Sequence, residues 1–219
     1  SFARTASETT ESALNAVYGE PLILDDLVLV GSFDGKLHAF GRESGKPEWV
    51  YAAEGAIVGG VAEADGVLYF GSSDGRVYAI DAVTQEPVWA EPFAAGNRVW
   101  GTPRVDDTRV YVASMDHSVY ALDRETGQMV WQYNLGASAP GALTLADGRI
   151  YVGSVNRYLT CLSAEDGTEL WRSPQYGGWV WGEALVVGDG IDFGSLDGVM
   201  HALNTADGSQ RWQDVKLDG

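Results

Sequence analysis

The run Gly71-Ser72-Ser73-Asp74-Gly75 has the G-x-S-x-G spacing of a hydrolase nucleophile. That chemistry needs a strand-to-helix elbow that lifts the serine oxygen clear of the chain. Here the flanking segments, VLYFGS (67–72) and RVYAID (76–81), both read as strands, which places the motif in a hairpin. Corresponding positions elsewhere carry Phe33, Met115, Val155 and Leu196, none of them a nucleophile. The three histidines are too far apart in sequence to form a metal set by spacing. His38 and His201 share a register with Tyr78 and Tyr120, so packing is the expected role, and His117 replaces a hairpin glycine at a loop tip. The turns Asp25-Asp26, Asp106-Asp107 and Asp166-Gly167 lack the spaced ligands of a calcium loop. Aspartate and glycine suit tight turns on backbone grounds alone. Asp192 stands where other copies have Leu29, Tyr69, Tyr111 and Tyr151, so its carboxylate marks either a solvated groove or a sheet edge. No catalytic residue and no metal site is expected.

The elements around these residues follow from internal repetition, the first signal to look for in such a chain. Tryptophans at Trp49, Trp89, Trp131, Trp171 and Trp212 are spaced 40, 42, 40 and 41 residues apart. Each closes a phrase of four short β-favouring runs, clearest in RVWGTPRVDD, TRVYVASMD, HSVYALDRETG and QMVWQYNLG. An aligned glycine opens every copy: Gly19, Gly59, Gly101, Gly141 and Gly182. Asp-Gly pairs at Asp34-Gly35, Asp74-Gly75 and Asp197-Gly198 predict type I′ hairpins between the second and third runs.

Four strands per period of about 40 to 45 residues indicate an all-β propeller of four-stranded antiparallel blades. The blades are expected at about 16–55, 56–97, 98–137, 138–178 and 179–217, with 1–15 an N-terminal extension or the tail of a preceding blade. Five blades form either a closed ring or part of a larger one. The five repeat tryptophans are expected to dock neighbouring blades. Cys161, the single cysteine, excludes an internal disulfide and aligns with Ala39, Ala79, Ala121 and Ala202, so it fills a small buried slot.

In a propeller the entry loops and the second-to-third hairpins gather on one face, around the channel. There the copies diverge: Asn97, Arg98 and Trp100 in the third; Asn156 and Arg157 in the fourth; Tyr176, Trp179, Trp181 and Glu183 leading into and opening the fifth. Trp100 and Trp181 precede the aligned glycine where other copies have Val58 and Pro140. Such aromatics beside Arg and Glu suit a protein, peptide or flat ligand; the alternative is that they plug a narrow channel.

With 31 acidic and 14 basic residues the net charge is −17, which repels a phosphate backbone and argues against nucleic acid. No apolar run approaches the length of a membrane-spanning helix. The chain begins at Ser1 without methionine or a signal-peptide pattern, so it is expected to be processed, trimmed or part of a larger chain or complex.

The phrase Ala121-Leu122-Asp123, Thr126-Gly127 and Trp131 resembles the PQQ-like, quinoprotein-type propeller repeat. Copy two keeps Ala79-Ile80-Asp81, Thr84-Gln85 and Trp89, and copy five Ala202-Leu203-Asn204, Asp207-Gly208 and Trp212. One branch of that family holds pyrroloquinoline quinone (PQQ) and calcium for alcohol oxidation, often with a disulfide between adjacent cysteines. Another is non-catalytic and includes a propeller lipoprotein of outer-membrane barrel assembly and extracytoplasmic sensor domains of bacterial kinases. The adjacent cysteines are absent, and no catalytic aspartate or calcium ligand maps onto this chain. The resemblance therefore implies an extracytoplasmic scaffold or binding module without a cofactor. The alternatives it leaves are a quinoprotein dehydrogenase fragment using PQQ and calcium, or a sensor domain of a larger membrane protein.

Overall fold

The computed structural model describes residues 16–217, so the expected extension at 1–15 lies outside the described residues. Those residues form β-strands and turns with no helix, and none of their segments is a helix long and apolar enough to cross a membrane. Blade one comprises β1 (Leu22–Leu24), β2 (Leu27–Gly31), β3 (Lys36–Gly41) and β4 (Pro47–Ala52). Blade two comprises β5 (Ala62–Ala64), β6 (Val67–Gly71), β7 (Arg76–Asp81) and β8 (Phe93–Ala94). Blade three comprises β9 (Arg104–Val105), β10 (Arg109–Ala113), β11 (Ser118–Asp123) and β12 (Met129–Asn134). Blade four comprises β13 (Thr144–Ala146), β14 (Arg149–Gly153), β15 (Leu159–Ser163) and β16 (Glu169–Arg172). Blade five comprises β17 (Leu185–Val187), β18 (Gly190–Ser195), β19 (Val199–Asn204) and β20 (Val215–Lys216). Every sheet is an antiparallel meander in chain order.

The second strands read as near-continuous apolar runs because a blade covers each of their faces. In β6, β10 and β14 the last four residues are all buried. Alternate side chains go to opposite neighbours. Tyr69 packs toward blade three, whereas Leu68 and Phe70 pack toward blade one. Four apolar clusters fill the four interfaces between consecutive blades. Among the described residues no cluster joins blade five to blade one, so the blades form an arc.

The repeat tryptophans explain the period. The indole N–H groups of Trp89, Trp131 and Trp171 donate to the carbonyls of Arg124, Ala164 and Thr205 in the next blade, at 2.9, 3.1 and 2.9 Å. Each ring lies flat on the turn glycine of that blade; a Cβ on Gly167 would come within 2.7 Å of Trp131. These three rings are 2–8% exposed. Trp49 packs into the interface of blades one and two. Trp212 is 38% exposed, and its counterpart at the far end of the arc, Gly45, has no atom within 4 Å of an added Cβ. Leu185 and Val187 on the open side of blade five are likewise exposed. Asp192 sits on that side, in register with Leu185 and Ala202 and half-buried, which resolves its position to an uncovered blade face.

One sequence feature takes a different form from the expected one. The hairpins at Asp34-Gly35, Asp74-Gly75 and Asp197-Gly198 are not type I′, because only the glycine has positive φ (80°, 85° and 78°). A turn closed by Gly35 N–H to Ser32 C=O, followed by a left-handed residue, makes a three-residue loop with a bulge. Type I′ geometry occurs one hairpin earlier, where Asp65 and Gly66, and Asp147 and Gly148, have paired positive φ. The aligned glycines have a separate cause: a side chain on Gly59 or Gly101 would collide with the backbone of the next blade, because the inner strands converge on the channel.

Candidate functional site

Each second-to-third hairpin is tied to the loop entering the same blade by one backbone bond. The N–H groups of Phe33, Ser73, Met115, Val155 and Leu196 donate to Ala16, Ala56, Arg98, Ser138 and Trp179 at 2.8–3.0 Å. Two variable segments per blade therefore sit side by side on one face at the channel mouth. Blade one contributes Tyr18 and Phe33, with ring centroids 5.4 Å apart. In blade three, the indole N–H of Trp100 donates to Ser73 Oγ at 2.9 Å and Arg98 lies 5.6 Å from its ring. Blade five contributes Trp179 and Trp181, stacked at 6.3 Å with an 18° interplanar angle and 46% and 40% exposed. At the corresponding positions blades two and four carry Val58, Ser73, Pro140 and Val155.

Arg157 occupies the hairpin tip of blade four at φ 73°, in the position glycine takes in blades one, two and five. Its carbonyl accepts from Tyr176 N–H at 2.9 Å. Asn156 and Asn97 are occupied locally: Asn156 Nδ2 donates to Leu135 C=O at 3.0 Å, and Asn97 Oδ1 accepts from Arg98 N–H at 2.8 Å. Tyr176 turns inward, 4.0 Å from the His201 ring and 5.4 Å from Phe193, with its hydroxyl buried and unpartnered. Burial raises that phenol above its ordinary pKa. Glu183 lies in the channel wall, ion-paired with Arg104. The arrangement thus gathers Arg98 with Trp100, and Arg157 with Trp179, which stacks on Trp181; Trp100, Trp181 and Glu183 line the channel together, and Tyr176 lies elsewhere. Phe33, Tyr18 and Leu196 complete the crescent. Their register was legible, since Leu196 aligns with Ser73 and Tyr18 precedes Gly19 as Trp100 precedes Gly101.

A second cluster lies inside blade five. Ser195 Oγ is 2.8 Å from His201 Nε2, and Asp214 Oδ2 is 3.0 Å from Nδ1. This row imitates a catalytic triad, but Ser195 is buried and also bonds Asp197. Its equivalents Ser72 and Ser114 fasten their hairpins to Gly55 and Asn97 carbonyls at 2.9 and 3.0 Å. The serine is a hairpin fastener. His38 serves its own hairpin in a comparable way, with Nε2 3.0 Å from Asp34, just as the hydroxyls of Tyr78 and Tyr120 bond Asp74 and Asp116. Burial and the bond to Asp74 push the Tyr78 phenol up to about 12.

A quinone cofactor with calcium needs several oxygen ligands converging on the ion. The channel lining offers Glu20 and Glu183, the latter held by Arg104. Among the described residues no three Asp, Glu, His or Cys side chains form such a group. The residues present do not fit the pair.

Five four-stranded antiparallel blades around a channel define a PQQ-like β-propeller. The family model described as outer membrane protein assembly factor BamB matches residues 1–91 and 94–217, and the chain belongs to that family. Among solved structures, BamB from Moraxella catarrhalis is 20% identical with a TM-score of 0.77, covering 92% of this chain and 65% of its own. A computationally designed protein is 14% identical with a TM-score of 0.79, covering 90% and 61%. Quinohemoprotein alcohol dehydrogenase from Comamonas testosteroni is 17% identical with a TM-score of 0.79, covering 94% and 44%. The chain thus spans less than two thirds of each of these structures. No curated protein shows significant similarity to it.

Proposed function

We propose that this chain is a non-catalytic, extracytoplasmic protein-interaction module whose contact face is the aromatic crescent at the channel mouth. The observation that carries the reading is the exposure of the stacked Trp179–Trp181 pair beside Arg157 and Leu196. Large aromatics left in water at a concave rim are the composition of an interface anchor. Family membership supports a scaffold role and an extracytoplasmic setting. The fold shared with an alcohol dehydrogenase keeps an enzyme as the rival, and the channel's poverty in calcium ligands weighs against it. Titration with PQQ plus calcium, read by tryptophan fluorescence, separates the two. The scaffold reading expects no saturable quenching; quenching at micromolar ligand that disappears in Trp181→Ala would replace it with a quinoprotein.

A further inference from the structure

The arc leaves two blade faces bare, the outer face of blade five and the opposite face of blade one. We propose that these faces pair between two copies of this chain, blade five of each against blade one of the other. Each contact reproduces an internal blade interface. A two-fold axis along the channel makes the contact twice and closes two arcs into one ring. The contact uses neither Arg157 nor Trp179, so it stands apart from the mouth.

Two kinds of complementarity carry it, and the first is steric. Inside the arc, Ile57, Val99 and Val180 are fully buried over Gly31, Gly71 and Gly153 of the preceding blade. A Cβ on those glycines would come within 2.4–2.6 Å of the side chain above. Val17 holds the same register in blade one and is 51% exposed. Gly194, the matching glycine of blade five, has nothing nearer to an added Cβ than Met200 Sδ at 3.6 Å. A bare knob at one end therefore answers an open hole at the other. Trp212 and the vacant turn at Gly45 form a second such pair.

The second is chemical, because the two ends depart from the repeat together. Arg124 of blade three pairs with Asp65 of blade two and lies beside the Tyr69 hydroxyl. The corresponding residues at the ends are Arg42 in blade one and Asp192 in blade five, an aspartate where the tyrosine would be. Neither has an ion pair among the described residues, and docking sets one against the other. Arg172 of blade four likewise donates to the Tyr133 hydroxyl of blade three at 2.9 Å. At the ends those positions are Val50 and Val215, 49% and 51% exposed, so an apolar contact replaces a polar one on both sides. Each departure on blade five thus has its counterpart on blade one. The charge of −17 on each copy opposes approach. Salt at about 0.15 M confines that repulsion to roughly 8 Å, whereas the Arg42–Asp192 pair lies inside the contact.

Sedimentation equilibrium of the whole chain tests this, over about 1 to 200 µM and at about 0.15 M salt. The mass is expected to rise with concentration from 23.5 kDa toward twice that value. At the dilute end the faces are bare. Arg42→Asp and Asp192→Arg should each weaken association at least about tenfold. The double variant, with the charges exchanged, should recover it, and circular dichroism should match wild type throughout. Val50→Asp, an exposed site on the same face, gives a further reading should Asp192→Arg disturb blade five. A monomer mass across the whole series overturns the proposal and leaves the faces to another occupant. Dimers indifferent to Arg42→Asp and Val50→Asp overturn it by placing the contact elsewhere. Dimers lost in both single charge variants and not recovered in the double one overturn the pairing of blade five with blade one.

Discussion

Trp131→Ala removes a ring that is 8% exposed, lies on Gly167 and donates to Ala164 across the interface of blades three and four. The Ala164 carbonyl keeps its bonds from Arg109 and Tyr111, so truncation leaves no orphaned acceptor. The cost is then the transfer and cavity contribution of a buried indole, about 3–5 kcal/mol. Trp212 has the same place in the repeat but is 38% exposed, and Gly45 shows what an unused socket looks like. Without a turn beneath it, Trp212→Ala should cost about 1 kcal/mol. Urea unfolding followed by circular dichroism reads both. At an m-value of about 2–3 kcal/mol/M, Trp131→Ala lowers the midpoint by roughly 1–2.5 M and Trp212→Ala by no more than about 0.5 M. Equal shifts for the two variants, or a cost under about 1 kcal/mol for Trp131→Ala, would refute the idea that these rings act by docking onto the next blade.

The turn carboxylates predict a pH dependence. Bonds from Thr84, Thr126, Thr168 and Ser209 hold Asp81, Asp123, Asp166 and Asp207 below the usual carboxylate range. Their contribution is present above the unfolded value near 3.9 and is lost as the pH falls through the lower folded values. The net charge of −17 falls to zero near the pI of about 4.3 and turns positive below it, so self-repulsion first eases and then returns with the opposite sign. A variant with all four changed to asparagine isolates the turns: its urea midpoint should fall less than wild type between pH 5 and pH 2, and parallel curves would exclude the linkage. Cys161 is fully buried, and burial pushes its thiol up to about 12. It should stay unreactive to a disulfide reagent at pH 8 until urea unfolds the chain, so rapid native labelling would contradict its slot beside Trp171.

Much of the fold was legible because one local signal recurs. Trp131, Gly167 and the strand register between them are short-range consequences of a repeat that buries itself against the next copy. Turn type was less legible. Asp74-Gly75 suits a type I′ hairpin by composition, but the Ser72 fastener and the entry-loop bond at Ser73 select a bulged loop instead.

The site divided the same way. Trp100, Arg157, Trp179 and Trp181 stood out as departures from the repeat, and that departure needs no coordinates to see. The tertiary structure alone decided that Tyr176 turns inward onto His201, and that Glu183 is held by Arg104 in the channel wall. It alone brought Leu196 beside Trp179 and, among the described residues, left Arg157 without an ion-paired carboxylate. Periodic strand signals act over a few residues and are written into each copy. Which side chains meet at the mouth depends on how five blades curve around a channel, and no single repeat encodes that angle.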